Sequence, residues 1–233
     1  MKLSSVLSLG FVTLAAPAVM AQSVIYQQNF DAATVGSGSA GPGDYVAVDV
    51  AGGAGWQVQG GTDGGAGGTV SLVAGVNNAG VGGSQALFGT WDFSTGLNYT
   101  WNQYTYYGTP APGAGVNVAD IRVSLDLLYS GADTPPPVTI LTVQGGNERT
   151  FSPTLAAGDY THVEFDLDEM SGPAFDPAAG FWFRVSHGNG GFGFDAGNTL
   201  QIDNVLITVV PEPATSALLG MGILGLALFR RRS

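Results

Sequence analysis

Three carboxylates in the second half of the chain have the types and spacing of a hydrolytic pair. They are Glu164, Asp166 and Glu169, in the segment Glu164-Phe165-Asp166-Leu167-Asp168-Glu169. Residues two apart on a strand point to the same face, so the first two would share a side. Two carboxyl groups about 5–5.5 Å apart can serve as nucleophile and acid/base in retaining glycoside hydrolysis. Outward-facing acids on a half-buried strand of an acidic protein produce the same pattern.

This E-x-D-x-x-E spacing resembles the motif of laminarinase-like β-glucanases. The resemblance implies that Glu164 is the nucleophile, that Glu169 is the acid/base and that Asp166 tunes them. However, only about 40 residues follow before the carboxy-terminal tail, whereas that family needs most of a sheet there. An aromatic cleft close to the motif is also missing from the sequence. We therefore predict a non-catalytic protein, with glycoside hydrolysis as the alternative.

An unusually aromatic stretch covers residues 88–107. Trp and Tyr rings combine an apolar face with a polar edge, which suits them to stacking on sugars. From this stretch we select Trp101, Tyr104 and Tyr106 as glycan-binding residues. The alternative is that these rings fill the core and cover the sheet surface.

Composition excludes several other functions. The chain has no cysteine and only two histidines, His162 and His187, so a thiolate nucleophile and a three-histidine zinc site are excluded. Residues 22–210 contain 17 acidic residues and three arginines, which gives a net charge of −14. Because nucleic-acid affinity depends on basic residues that neutralise phosphates, a nucleic-acid partner is excluded.

The elements that would position these residues are strands. Apolar residues alternate with polar ones along 121–127, 163–167 and 181–185, and turn-forming segments rich in Gly, Pro, Asn and Asp separate these runs. The final run, 200–209, changes phase near Asp203-Asn204, which predicts a β-bulge there. We therefore predict an all-β domain over 22–209, an antiparallel β-sandwich of the jelly-roll type.

The body also resembles carbohydrate-binding modules and galactose-binding-like jelly rolls. The matching pieces are Asn29-Phe30-Asp31, the strand at 160–165 and the closing segment 200–205. The resemblance implies that the first and last strands lie side by side and that a structural Ca²⁺ binds there. Asp31 and Asp203 would be its carboxylate ligands, completed by backbone carbonyls. The alternative is that both aspartates cap turns.

The two ends of the chain have the composition of targeting segments. Residues 1–21 combine Lys2, an apolar run and small residues before Ala21, as in a secretory signal peptide. Residues 210–233 contain Pro211-Glu212-Pro213, an uncharged apolar segment over 214–229, and Arg230-Arg231-Arg232. As a helix, those 16 residues reach about 24 Å, and snorkelling arginines would complete a transmembrane span. The positive-inside rule keeps the arginines cytoplasmic.

The order Pro-Glu-Pro, apolar helix, arginine cluster resembles the PEP-CTERM sorting signal. This resemblance implies recognition of Pro211, Glu212 and Pro213 by an exosortase-type membrane protease. The protein would be anchored in the inner membrane and would reach the cell surface or the extracellular space after processing. We expect an exported surface or matrix protein that binds extracellular polysaccharide. A purely structural surface protein and the hydrolase are the alternatives.

Overall fold

The computed structural model is all-β, with two antiparallel sheets packed as a sandwich. It describes residues 22–35, 45–49, 55–62, 68–75, 85–91, 100–108, 110–131, 138–187 and 199–210. Residues Gln22–Val210 form one compact unit.

Thirteen strands lie within the described ranges: β1 (Ser23–Gln28), β2 (Thr34–Val35), β3 (Tyr45–Asp49), β4 (Trp56–Thr62), β5 (Gly68–Ala74), β6 (Gln85–Trp91), β7 (Thr100–Tyr106), β8 (Ile121–Ser130), β9 (Val138–Gln144), β10 (Asn147–Phe151), β11 (Tyr160–Asp166), β12 (Trp182–His187) and β13 (Thr199–Val209). The helical segments of the same ranges are three 3-10 turns, Val118–Asp120, Leu167–Glu169 and Pro177–Ala179.

Each sheet mixes strands from distant parts of the chain. The six-stranded sheet has the order β11-β8-β13-β6-β5, and β1 also pairs with β13. The seven-stranded sheet has the order β10-β9-β12-β7-β4-β3-β2. The pairing of β1 with β13, from Ser23↔Val209 to Gln28↔Val205, confirms that the first and last strands of the domain lie side by side.

The core lies between the two sheets and follows the predicted alternation. On β8, the side chains of Ile121, Val123, Leu125 and Leu127 are fully buried. Opposite them, the seven-stranded sheet contributes apolar residues from β4, β7, β9 and β12. The side chains between the buried residues of β8 point to the opposite face of the sheet, where Arg122 is partly exposed but Ser124 and Asp126 are also buried.

A β-bulge interrupts β13 at the predicted position. The register of β13 against β8 shifts between Asp203 and Leu206. Asn204 has a φ of 51° there, in the left-handed region that few residues other than Gly and Asn adopt readily. The bulge explains the phase change. Ile202 and Val205 are three positions apart, so in a regular strand they would point to opposite faces, but both are buried.

The signal peptide predicted over 1–21 and the transmembrane helix predicted over 214–229 lie outside the described residues. Within the described part, none of the helical segments has the length and apolarity needed to span a bilayer.

Candidate functional site

The three carboxylates of the hydrolase-like motif take part in local structural interactions. Arg122 on β8 donates through Nε to Asp166 Oδ1 at 2.7 Å and through Nη2 to Asp166 Oδ2 at 3.1 Å. Its Nη1 lies 3.2 Å from Glu164 Oε1. Glu169 Oε1 accepts the Asp166 backbone N–H at 3.0 Å, as part of a capping box for the 3-10 turn. The arrangement accounts for the motif as an ion-pair and capping network.

Two of the three predicted glycan-binding rings belong to the core, so this part of the prediction is wrong. Tyr104 is 0% exposed, and its hydroxyl donates to the Leu200 carbonyl at 2.8 Å across the sandwich. Tyr106 is 7% exposed and stacks on Tyr26, with ring centroids 4.0 Å apart. Burial also raises the pKa of the Tyr106 hydroxyl. The backbone of Trp101 lies in β7, but its side chain is outside the described part of the structure.

An aromatic pair, an exposed tryptophan and a partly buried tyrosine, lies instead on the outer face of the seven-stranded sheet. Trp182, the first residue of β12, is 38% exposed, and the Tyr107 ring meets it edge-on with centroids 4.8 Å apart. Tyr107 directly follows β7, the neighbour of β12. Phe183 and Tyr106 are register partners whose side chains point inward. Their neighbours Trp182 and Tyr107 therefore both point outward and lie side by side.

A pocket of about 360 Å³ adjoins this pair. Its walls come from the end of β9, the turn Gly145-Gly146 and the segment Ala179–Trp182. Gln144 holds these parts together: its Nε2 donates to the Gly180 carbonyl at 2.7 Å, and its Oε1 accepts the Asp176 N–H at 2.9 Å. The aromatic pair therefore borders a depression with a hydrogen-bonded framework.

Polar side chains continue this outer face along the two strands. Arg184, two residues after Trp182, donates through Nε to Thr105 Oγ1 at 3.1 Å. The pairing of β4 with β7 places Gln57 beside Thr105, and the pairing of β12 with β7 places Ser186 beside Gln103. Thr105 and Ser186 are buried, at 3% and 8% exposure, so this surface presents aromatic rings, a guanidinium and amide groups. We call it the aromatic face and define it by Trp182, Tyr107, Arg184, Thr105 and Gln103.

The sequence contained a signal for the aromatic face. The alternation over 181–185 placed Trp182 and Arg184 on the solvent side of their strand, opposite the buried Phe183. A tryptophan at an outward position is a stronger indication of binding than aromatic density, because dense aromatic runs also build cores.

The predicted metal ligands lie near each end of one junction: Asp31 contacts Gln85, and Asp203 lies beside Gly75, close to the Gln85 carbonyl. Asp31 Oδ1 accepts the Gln85 N–H at 3.2 Å, and the Asp31 carbonyl accepts Gln85 Nε2 at 2.9 Å. Asp203 is fully buried, and its Oδ2 lies so close to Gly75 that a Cβ there would overlap it. The same Cβ would lie 2.8 Å from the Gln85 carbonyl oxygen.

The turn that carries Asp31 is built around a buried ring. Phe30 is fully buried beside Trp56, with ring centroids 5.5 Å apart, and has a φ of 58°. Asn29 and Asp31 bond to each other on the exposed side of this turn, through Asn29 Nδ2 to Asp31 Oδ2 at 3.0 Å. The buried ring therefore fixes where the Asp31 carboxylate lies.

A second buried carboxylate, Asp126, neighbours Asp203 in the register of β8 with β13. Its Oδ2 accepts Asn204 Nδ2 at 2.7 Å, and its Oδ1 lies 2.8 Å from His162 Nδ1. Burial, followed by the charges of Asp203 and Asp126, raises the pKa of the nearby Tyr160 to about 12. No group of three or more Asp, Glu or His side chains with metal-binding geometry occurs within the described residues. A cation at this end would therefore need carbonyl oxygens as well.

The predicted sorting residues, Pro211, Glu212, Pro213, Arg230, Arg231 and Arg232, follow the last described residue and lie outside the described part. Val210, the last described residue, is held to the domain by its N–H, which donates to the Asp120 carbonyl at 2.7 Å.

Comparison with known proteins confirms the resemblance of the tail. The family model of the PEP-CTERM protein-sorting motif matches residues 209–232. No curated protein sequence matches the chain.

Several solved structures are similar to the chain at low identity. The family 30 carbohydrate-binding module of a cellulosomal cellulase of Clostridium thermocellum is 13% identical, with a TM-score of 0.45 over 83% of this chain and 100% of that one. SGBP-B from a complex xyloglucan utilization locus in Bacteroides uniformis is 12% identical, with a TM-score of 0.38 over 82% and 67% of the two chains. A β-1,2-glucanase from Parabacteroides distasonis is 10% identical, with a TM-score of 0.43 over 68% and 23%.

Proposed function

We propose that this chain is an exported surface or matrix protein that binds extracellular polysaccharide through the aromatic face. The observation that carries the proposal is the exposed Trp182 ring, set edge-to-face against Tyr107 beside a 360 Å³ pocket. Sugar rings stack on such aromatic surfaces, while hydroxyl and amide groups fix their orientation. The neighbouring Gln103 and Arg184, both partly exposed, supply those polar groups, and the buried Thr105 orients Arg184.

Replacing the exposed ring tests this function. The full chain, solubilised in detergent, is passed over immobilised polysaccharides, and retention is measured for wild type, Trp182→Ala and Tyr107→Ala. We expect Trp182→Ala to reduce retention at least about tenfold, since one stacked aromatic contributes roughly 1–2 kcal/mol or more to an interface. Unchanged retention in both variants would rule the aromatic face out.

A matched control comes from the other exposed large apolar residue of the described part. Val24 on β1 is 55% exposed and belongs to the six-stranded sheet. Val24→Ala removes apolar surface away from the aromatic face and should leave retention unchanged. Thermal melting of each variant separates loss of binding from loss of folding. A wild-type chain that binds no polysaccharide at all would favour a purely structural surface protein.

The tail supplies the proposed location. The sorting motif at 209–232 supports export, an inner-membrane anchor over 214–229 and processing at Pro211-Glu212-Pro213 by an exosortase-type membrane protease. The signal peptide proposed over 1–21 would begin that route. Processing would release the domain, proposed to span 22–209, to the cell surface or the surrounding matrix.

We also propose a structural Ca²⁺ beside Asp31 and Asp203, at the junction of the first and last strands. The residues fit such an ion, because the Asp203 Oδ2 and Gln85 carbonyl oxygens converge on the space that a Cβ on Gly75 would fill. Both are hard oxygen ligands of the kind that Ca²⁺ selects. A bound cation would also offset the repulsion between Asp203 and its neighbour Asp126. The same strand junction supports assignment of the sandwich as a jelly roll.

Thermal melting with and without CaCl₂ tests the ion. We expect millimolar Ca²⁺ to raise the Tm of the full chain, and Asp31→Asn and Asp203→Asn to reduce or abolish the rise. Asp168→Asn serves as the control, because this exposed acid lies in the 3-10 turn after β11, outside the proposed site. A wild-type Tm that Ca²⁺ does not change would refute the site.

A further inference from the structure

Arg184 differs from the other two arginines of the domain in what it binds. Arg122 pairs with Asp166 and Glu164. Arg149 is buried, and its guanidinium donates to the Met170 carbonyl at 2.7 Å and the Pro173 carbonyl at 3.3 Å. For Arg184, the only polar contact to another described residue is the 3.1 Å bond from Nε to Thr105 Oγ1.

Among the described residues, no carboxylate lies beside Arg184, although the domain is strongly acidic. With 17 acidic residues and three arginines in 22–210, carboxylates are abundant. On the outer face of this sheet, the nearest acid by register is Glu148, on β10, which is two strands away from β12. At about 4.8 Å per strand, that places it roughly 10 Å to the side. Within the described residues, the guanidinium therefore makes no ion pair.

The single bond to Thr105 orients the guanidinium. Because Nε is occupied, Nη1 and Nη2 form the edge that remains for a ligand. Two parallel N–H groups match the two oxygens of a carboxylate, or two oxygens of a sulfate. Trp182 lies two residues earlier on the same face, about 6–7 Å along the strand, which is close to the length of one sugar ring.

We propose that the aromatic face selects glycans that contain anionic sugars. The Trp182–Tyr107 pair stacks on one sugar ring, and Arg184 binds the carboxylate or sulfate of that sugar or of its neighbour. This inference rests on the proposed glycan binding and names the ligand class of the same site. The acidic surface elsewhere repels polyanions, so recognition depends on this local contact and does not extend to polyanions in general.

Polygalacturonate and its fully methyl-esterified form provide matched probes, because they share a backbone and differ in the carboxylate charge. Affinities for the full chain in detergent are measured at about 0.15 M salt, where repulsion beyond about 8 Å is screened. We expect wild type to bind the acid form about tenfold more tightly than the ester. Arg184→Gln should abolish that difference, so that the variant binds the acid form and the ester with equal affinity, and Arg184→Lys should keep part of it. Dextran sulfate and dextran form a second pair, in which the same Arg184-dependent preference would identify sulfate as the anion.

The outcomes separate this inference from the function on which it rests. Equal wild-type affinity within both pairs of polymers, or an anion preference that Arg184→Gln retains, would overturn the selectivity. In either case, binding that Trp182→Ala removes would leave the proposed glycan binding intact. If wild type binds none of the four polymers or other glycans, both proposals fail.

Discussion

The imidazole of His187 links the stability of the fold to pH. His187 is 1% exposed at the end of β12, and its ring meets Tyr129 edge-on at 5.2 Å. Burial lowers the pKa of His187 to about 4, because the charged form cannot be hydrated there. Between pH 6.5 and 4, the unfolded chain therefore binds a proton that the folded chain does not.

Acidification should accordingly destabilise the domain through this residue. On falling from pH 7 to pH 5, the free energy of unfolding should drop by about 2 kcal/mol from His187 alone. His187→Phe removes the titration and keeps an aromatic edge against Tyr129. We expect urea unfolding of this variant to show a correspondingly smaller loss between these pH values.

A buried residue of the same strand that does not titrate provides the control. Val185→Ala removes apolar volume from β12 and should lower the free energy of unfolding by a similar amount at pH 7 and pH 5. If His187→Phe loses as much stability as wild type over this range, burial of the neutral imidazole is not the source of the pH dependence.

Residue type was a weaker guide to the glycan-binding residues than residue position. Tyr104 and Tyr106 have the chemistry of sugar-binding residues, but their strand turns them inward to Leu200 and Tyr26. The sequence did not reveal this, because the polar Asn102, Gln103 and Thr105 around the tyrosines give the strand no clear polar and apolar faces. For Trp182, in contrast, the flanking Phe181 and Phe183 marked the outward position.

At the level of elements, the bulge in β13 determines what the strand places next to β8. The extra residue lets Ile202 and Val205 both point into the core. It also directs the Asn204 amide to Asp126 Oδ2 at 2.7 Å, and Asp203 Oδ1 accepts the Asn204 N–H at 2.7 Å. The bulge therefore supports both buried carboxylates and the proposed cation site.

Two substitutions at Asn204 separate backbone conformation from side-chain bonding. Asn204→Gly accepts the positive φ but removes the donor to buried Asp126, which should cost about 1–3 kcal/mol of unfolding free energy. Asn204→Ala loses the same donor and adds about 1 kcal/mol or more of left-handed strain. Chemical denaturation should therefore rank wild type above Gly and Gly above Ala. An Ala variant as stable as the Gly variant would contradict the strained bulge.

Strands in the second half of the domain could be predicted because their polar and apolar residues alternate, whereas the glycine-rich residues 36–83, which contain β3, β4 and β5, show little such period. The segments 121–127 and 163–167 contain such alternation, and they form β8 and β11 as expected. The order of the strands could not be predicted in the same way. Pairings such as β13 with β6 and β12 with β7 join segments far apart in the chain, and their register depends on packing between the sheets.

At the scale of the whole molecule, charge is divided between the body and the tail. The domain has a net charge of −14, and the tail ends in Arg230, Arg231 and Arg232. Moving three positive charges outward against a membrane potential of 100 mV would cost about 7 kcal/mol, at 2.3 kcal/mol per charge. The arginines should therefore stay in the cytoplasm while the acidic domain is exported.

Reporter fusions test this topology. Alkaline phosphatase is active only outside the cytoplasm, so a fusion after Ser233 should be inactive and a fusion directly after Val210 should be active. Replacing Arg230, Arg231 and Arg232 with glutamates removes the retaining charge and should raise activity at the carboxy end. The Val210 fusion controls for export, because it depends only on the amino-terminal segment. An active reporter at Ser233 in the wild-type sequence would contradict a tail helix pinned by its arginines and leave the domain without the proposed anchor.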